Sequence, residues 1–199
     1  AALSCFISRL GEKPLPLYRL LRRTDNFEWT DAATAGLEEI KALLASNPIL
    51  AAPNTGEPML LYIYATHQAV SAVLVVERDE EGHKFPLRKP VYYVSTVLTP
   101  CKSQYPHYQK IAYAVFMASR KLRHYFQECS IMVASKVPLN DIINNQDATS
   151  RIAKWAIELL PFEIIYEPHR AIKSQVLADF IAEWIEAEIP KEYGTYSNW

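Results

Sequence analysis

The side chains best able to do chemistry in this 199-residue chain are a run of cations and a scatter of aromatic, imidazole, thiol and carboxyl groups. The string Arg120-Lys121-Leu122-Arg123-His124-Tyr125, followed by Arg151, Lys154, Arg170 and Lys173, has the residue types that neutralise phosphates. Such contacts would bind a nucleic-acid backbone without reading sequence, and salt would weaken them. Taken alone, the string reads as a solvated helix end. Tyr105, His107, Tyr108 and Tyr113 crowd the segment just before it. Aromatic rings can stack on bases, although a stripe at helical spacing more often packs into a core. The histidines His67, His83, His107, His124 and His169 have no metal-ligand spacing, either with one another or with Cys5, Cys101 and Cys129. No nucleophile elbow or Gly-rich phosphate loop is present in a chain with five glycines.

Composition narrows the class. Half the residues are apolar, enough for one well-buried core with room for a small extra unit. A net charge of -1 gives no global case for nucleic-acid binding, so any such surface must be a local patch. The scattered cysteines read as thiols of a reducing compartment. No apolar run approaches the roughly 20 residues that span a bilayer. Ala1-Ala2-Leu3-Ser4 has neither an initiator Met nor a signal-peptide pattern, so the chain reads as a piece of a longer polypeptide.

Periodicity places these groups on elements. Residues 6–23 predict a Gly-Glu-Lys-Pro turn and a short amphipathic helix ending in Arg19, Arg22 and Arg23. Thr30 or Asp31 can cap a helix carrying Leu37, Ile40, Leu43 and Leu44 on one face, which Asn47-Pro48 stops. After the turn Pro53 to Gly56 the period changes to two. Strands are expected over 59–65, 70–77 and 91–95, with a charged turn at Asp79 to Gly82. One long helix over 107–126, a strand at 131–134, a short helical stretch at 141–143, a helix over 152–160 and a strand at 162–167 follow. A last helix over 174–186 has Val176, Leu177, Phe180, Ile181 and Trp184 on its apolar face. Hairpin strands followed by alternating helices and strands predict a mixed sheet covered by helices.

Four strings, FISRLGEKPLPLYRLL, FEWTDAATAGLEEIKALLASNPILAAP, AVFMASRKLRHYF and VLADFIAEW, then narrow the reading. In this order they resemble the end of the polymerase thumb and the RNase H-like domain of plant gypsy-class LTR retrotransposon polyproteins of the Tat lineage. The resemblance covers nearly the whole chain. It implies an α/β RNase H-like fold, a five-stranded mixed sheet flanked by helices, with a small helical N-terminal extension. It also implies three parts: the thumb end over 1–48, the RNase H-like domain over 49–187 and a linker over 188–199.

Active members of that family hold catalytic magnesium on four acids. The first, on the first strand before an Ala-Ser pair, falls on Tyr64; the Glu three residues before Ala114-Val115 falls on Ile111. The Asp after the fourth strand falls on Ser135, and only the last, Asp179, is still an acid. RNase H-type hydrolysis uses paired cations, and magnesium needs several oxygen ligands in near-octahedral geometry. One carboxylate cannot assemble that site; nearby acids such as Glu77, Asp141 or Glu163 are candidates for recruitment. Asp179 therefore reads as structural or vestigial, and the space left by metal and water is expected to be filled jointly by Ile111 and the Tyr64 ring.

The resemblance thus implies a domain without catalytic residues, metal or cofactor of its own. Magnesium, RNA-directed DNA polymerase and RNase H activity would belong to other domains of the parent polyprotein, since this chain lacks the Tyr-x-Asp-Asp palm string. The domain would connect the polymerase to a downstream RNase H and grip an RNA:DNA hybrid through Arg120, Lys121, Arg123, Arg151 and Lys154. Neither a membrane nor a small-molecule ligand is implied. The implied location is a cytoplasmic retrotransposon particle, with the nucleus second. A weakly active ribonuclease H and a host-recruited protein-interaction module are the alternative readings.

Overall fold

The computed structural model describes residues 5, 7, 16, 17, 20, 28–45, 50–79, 86–145 and 150–168. Asp179, the expected helix over 174–186, the linker over 188–199 and most of the N-terminal extension lie outside the described residues.

Helix α1 spans Asp31–Ala45. Thr30 caps it: the Ala33 N–H reaches Thr30 Oγ1 at 3.3 Å and the Thr34 N–H reaches the Thr30 carbonyl at 3.1 Å. Ala33 is buried, while Leu37, Ile40 and Leu44 are half-buried. The turn before the sheet closes at Gly56, whose φ of 72° suits a residue without Cβ. Glu57 follows, and both of its carboxylate oxygens accept from Arg78, at 2.9 and 2.8 Å. This fork ties the turn to the far end of the second strand and holds the Glu57 carboxyl at about 2.

Strands β1 (Met59–Ala65), β2 (Ala69–Arg78) and β3 (Leu87–Val97) form an antiparallel meander. Helices α2 (Pro100–Ser103), α3 (His107–Lys121) and α4 (Arg123–Glu128) lead to β4 (Ile131–Ser135). Helices α5 (Leu139–Ile143) and α6 (Ser150–Leu159) precede β5 (Ile164–Pro168). The sheet order is β3-β2-β1-β4-β5, with β4 parallel to both β1 and β5. The mixed sheet predicted from periodicity is present.

Three local expectations change. The long helix expected over 107–126 breaks at Leu122, with φ −112° and ψ 30°. The Leu122 N–H still bonds the Ala118 carbonyl at 2.8 Å, but the Tyr125 N–H closes on the Leu122 carbonyl at 2.9 Å. The tightened turn seats both Leu122 and Phe126 in the core, each 1% exposed. Strand β3 begins earlier than expected and runs through Pro90, which an edge strand tolerates. The Pro90 carbonyl accepts from the Ala51 N–H at 2.8 Å. Strand β5 starts at Ile164 because Phe162 still belongs to the preceding turn, its N–H bonded to the Leu159 carbonyl at 3.0 Å. Its ring packs on Phe126, 5.6 Å between centroids.

Alternation along the strands gives the sheet two packed faces. Met59, Leu61, Ala65, Val70, Leu74, Val76, Ile131 and Val133 face the helices and pack with Ile111, Ala114, Val115 and Leu122. Tyr62, Tyr64, Val73, Val75, Tyr93 and Ala134 form a second cluster, joined by Leu50 and Leu60.

Candidate functional site

The positions that the family's acids would occupy are spread over both clusters. Tyr64 is 6% exposed and belongs to the second cluster, opposite Ser71 on β2. Ile111 is 5% exposed, near the start of α3, and belongs to the helix-side cluster. The expectation that the two fill one common space is therefore corrected, because strand alternation sends Tyr64 to the face away from α3. Ser135 ends β4, on the same face as Val133, and its Oγ accepts the Val137 N–H at 3.0 Å. Beside it lies a cavity of about 270 Å³ lined by Val137, Leu139, Tyr166 and Glu167 among others. Burial pushes the Tyr166 hydroxyl up to about 12, so the phenol stays neutral at physiological pH.

Among the described residues, Glu167 shares the Ser135 cavity, but the three acids singled out in the sequence do not line it. Glu77 is held by Arg88 at 2.5 Å, and Asp141 and Glu163 are exposed on α5 and just before β5. Among the described residues no group of three or more His, Cys, Asp or Glu is placed to hold a metal.

The expected basic face divides. The Lys121 ammonium turns to the sheet edge, donating to the Ser95 carbonyl and to Thr96 Oγ1, both at 3.1 Å. Although the residue as a whole is exposed, packing of the ammonium against β3 strips hydration and lowers its pKa. Arg120 turns the other way, toward α6, where its Nε lies 4.0 Å from Glu158. Arg120 and Arg123 line a cavity of about 470 Å³ with Glu158 and Phe162. Arg151 and Lys154 are exposed on α6.

Most of the aromatic residues near the start of α3 do not wait for bases. Tyr113 is buried, and with half-buried Tyr105 and buried Phe116 it surrounds Trp155 of α6 at centroid distances of 5.5, 6.2 and 5.9 Å. Tyr108 and His107 remain exposed. Cations cap this cluster. Arg151 lies over the Tyr105 ring at 4.6 Å, Arg120 over Phe116 at 5.4 Å and Lys102 over Tyr113 at 4.6 Å. Lys102 also donates to the Tyr113 hydroxyl at 2.8 Å. The sequence reading missed Lys102 and Trp155. Spacing alone offered one hint, Tyr113 and Phe116 three residues apart on one side of α3.

Comparison with known proteins decides the family. The sequence profile described as the RNase H-like domain found in reverse transcriptase matches residues 29–133. The chain belongs to this reverse-transcriptase RNase H-like family. It is 27% identical over 196 residues to the Tf2-3 and Tf2-4 transposon polyproteins of Schizosaccharomyces pombe, covering 94% of this chain. It spans only 14% of the length of each of those relatives. Among solved structures, the foamy viral protease-reverse transcriptase in complex with an RNA/DNA hybrid superposes with a TM-score of 0.69 at 19% identity. That likeness covers 99% of this chain and 25% of the viral one. The same viral protein in complex with double-stranded DNA gives 0.65 at 21% identity, over 85% and 36% of the two chains. The RNase H-like fold expected from the sequence is thus the fold of this domain, a mixed five-stranded sheet flanked by helices.

Proposed function

We propose that this RNase H-like domain is catalytically inactive and works as a connection module in a retrotransposon reverse transcriptase. It joins the polymerase to a downstream, active RNase H and helps hold the RNA:DNA hybrid between them. One observation carries the reading: the positions matching the first two family acids are Tyr64 and Ile111, each packed inside an apolar cluster. A carboxylate at either position would be desolvated, and a metal there would find a phenol and an alkyl chain. Asp179, the remaining acid, has no partner set in the sequence with which to hold a cation pair.

The finer parts of the reading belong to the same proposal. The parent is a plant gypsy-class, Tat-like element, with the thumb end at 1–48, this domain at 49–187 and a linker at 188–199. Polymerase and RNase H activities, and their magnesium, reside in the rest of the polyprotein, within a cytoplasmic particle. The foamy viral relative bound to an RNA/DNA hybrid supports the choice of ligand at the level of fold.

The test is a cleavage assay on the purified chain with a labelled RNA:DNA hybrid, in magnesium and in manganese. No cleavage is expected in either metal. Cleavage that disappears on Asp179→Asn would overturn the reading.

A further inference from the structure

We propose that the seam between α3 and α6, and not the Lys121 side of α3, is the track on which this domain takes the phosphate backbone of the hybrid. The inference rests on the reading of the chain as a hybrid-holding module. It names the surface and adds Lys102, a residue outside the cation string of the sequence.

Four cations belong to the seam by what they touch. Lys102, Arg151 and Arg120 sit over the rings of Tyr113, Tyr105 and Phe116, and all three rings pack on Trp155. Arg123 joins them because it lines the same cavity as Arg120. Arg151 and Glu158 are two helical turns apart on α6, and Glu158 faces Arg120. The Arg151-to-Arg120 stretch is therefore about 10 Å long, roughly three base steps at 3.4 Å per strand. Lys154 lies between those turns on the exposed side of α6.

Seating on rings matters for binding. A cation over an aromatic face keeps its charge and gives up part of its rotamer freedom before any ligand arrives. Less ordering then remains to be lost on association. Lys121 differs: two of its three N–H donors already go to Ser95 and Thr96 across the sheet edge, whereas Lys102 spends one on the Tyr113 hydroxyl and keeps two for a phosphate. Glu158 is the built-in competitor. At 4.0 Å from Arg120 it is a loose ion-pair partner in solvent, which a phosphate can displace.

The experiment measures affinity of the full chain for an end-labelled RNA:DNA hybrid between about 50 and 200 mM salt. Arg120→Gln with Arg151→Gln is expected to weaken binding several-fold and to reduce the log–log salt slope by about 0.9 for each phosphate no longer neutralised. Lys102→Gln should act in the same direction. Lys121→Gln should leave affinity and slope at the wild-type values. Glu158→Gln should tighten binding, a gain that a misfolded variant would not produce. If wild-type protein binds but Lys121→Gln weakens it while the Arg120 and Arg151 changes do not, the seam is wrong and the hybrid-holding reading stands. If wild-type protein does not bind the hybrid even at the lowest salt, that reading fails and the seam fails with it.

Discussion

The two faces of the central sheet are packed from different material. On the helix side, the strands contribute Met59, Leu61, Leu74, Ile131 and Val133, which pack with Ile111, Ala114 and Val115 of α3 in a cluster that also takes in Tyr113, Phe116, Phe126 and Trp155. On the other side, Tyr62, Tyr64 and Tyr93 lie among Val73, Val75 and Ala134. Hydroxyls accompany the rings there: Ser71 and Ser95 are hydrogen-bonded across β2 and β3 at 2.9 Å. The Arg88 guanidinium lies 5.8 Å from the Tyr62 ring centre, and burial raises the pKa of that phenol. Of the two positions to which the resemblance assigns the first two family acids, Ile111 puts an alkyl chain into the helix-side cluster and Tyr64 a phenol into the other.

The strongest way to break this comparison is to place an acid on each face. Ile111→Glu and Tyr64→Asp should each lower unfolding free energy by roughly 3–5 kcal/mol in chelator, read from urea midpoints, because each buries an unpaired charge or leaves a hole. Magnesium should not restore the loss. Because the residues lie in different clusters, the double variant should be additive within about 0.5 kcal/mol. A larger coupling energy would mean that the two side chains share one space after all.

Trp155→Ala tests the α3–α6 side alone. Trp155 is buried among three aromatic rings, so the loss should be about 3–5 kcal/mol, with the Tyr64 face unaffected. Near-ultraviolet dichroism, which reports on aromatic packing, should change in the same variant.

A smaller effect concerns the Glu57–Arg78 fork that anchors β2. The folded carboxyl sits at about 2 against an ordinary 4.5, so its stabilisation is fully present above pH 4.5 and is lost as pH falls toward 2. Glu57→Gln should lower stability by roughly 1–3 kcal/mol near neutrality and flatten the pH dependence in that acid window. An unchanged acid limb would show that the fork does not contribute. The mildest change is Ser71→Ala, which removes one hydroxyl bond from the aromatic face and should cost about 0.5–1.5 kcal/mol in thermal or urea unfolding.

Much of this domain can be read from local sequence. Strand β1 was legible because Met59 to Ala65 is an unbroken apolar run of strand length after a turn, and α1 because Thr30 precedes a run with one apolar side. That Tyr64, Ile111 and Ser135 carry no carboxylate is a property of side-chain type and needs no coordinates. Other features depend on residues far apart in the chain. The break at Leu122 exists to seat Leu122 and Phe126 together, and no helix-breaking residue marks it. The separation of Tyr64 from Ile111 follows from strand parity combined with the side on which α3 packs. The five cations looked alike in sequence, yet Lys121 bonds to Ser95, 26 residues earlier, while Arg151 sits over Tyr105 in the connection before α3. Periodicity and side-chain chemistry are local, so the sequence alone determined most of the elements and the non-acidic character of Tyr64, Ile111 and Ser135. Which charges share a surface is set by long-range packing between elements, and only the tertiary structure decided it.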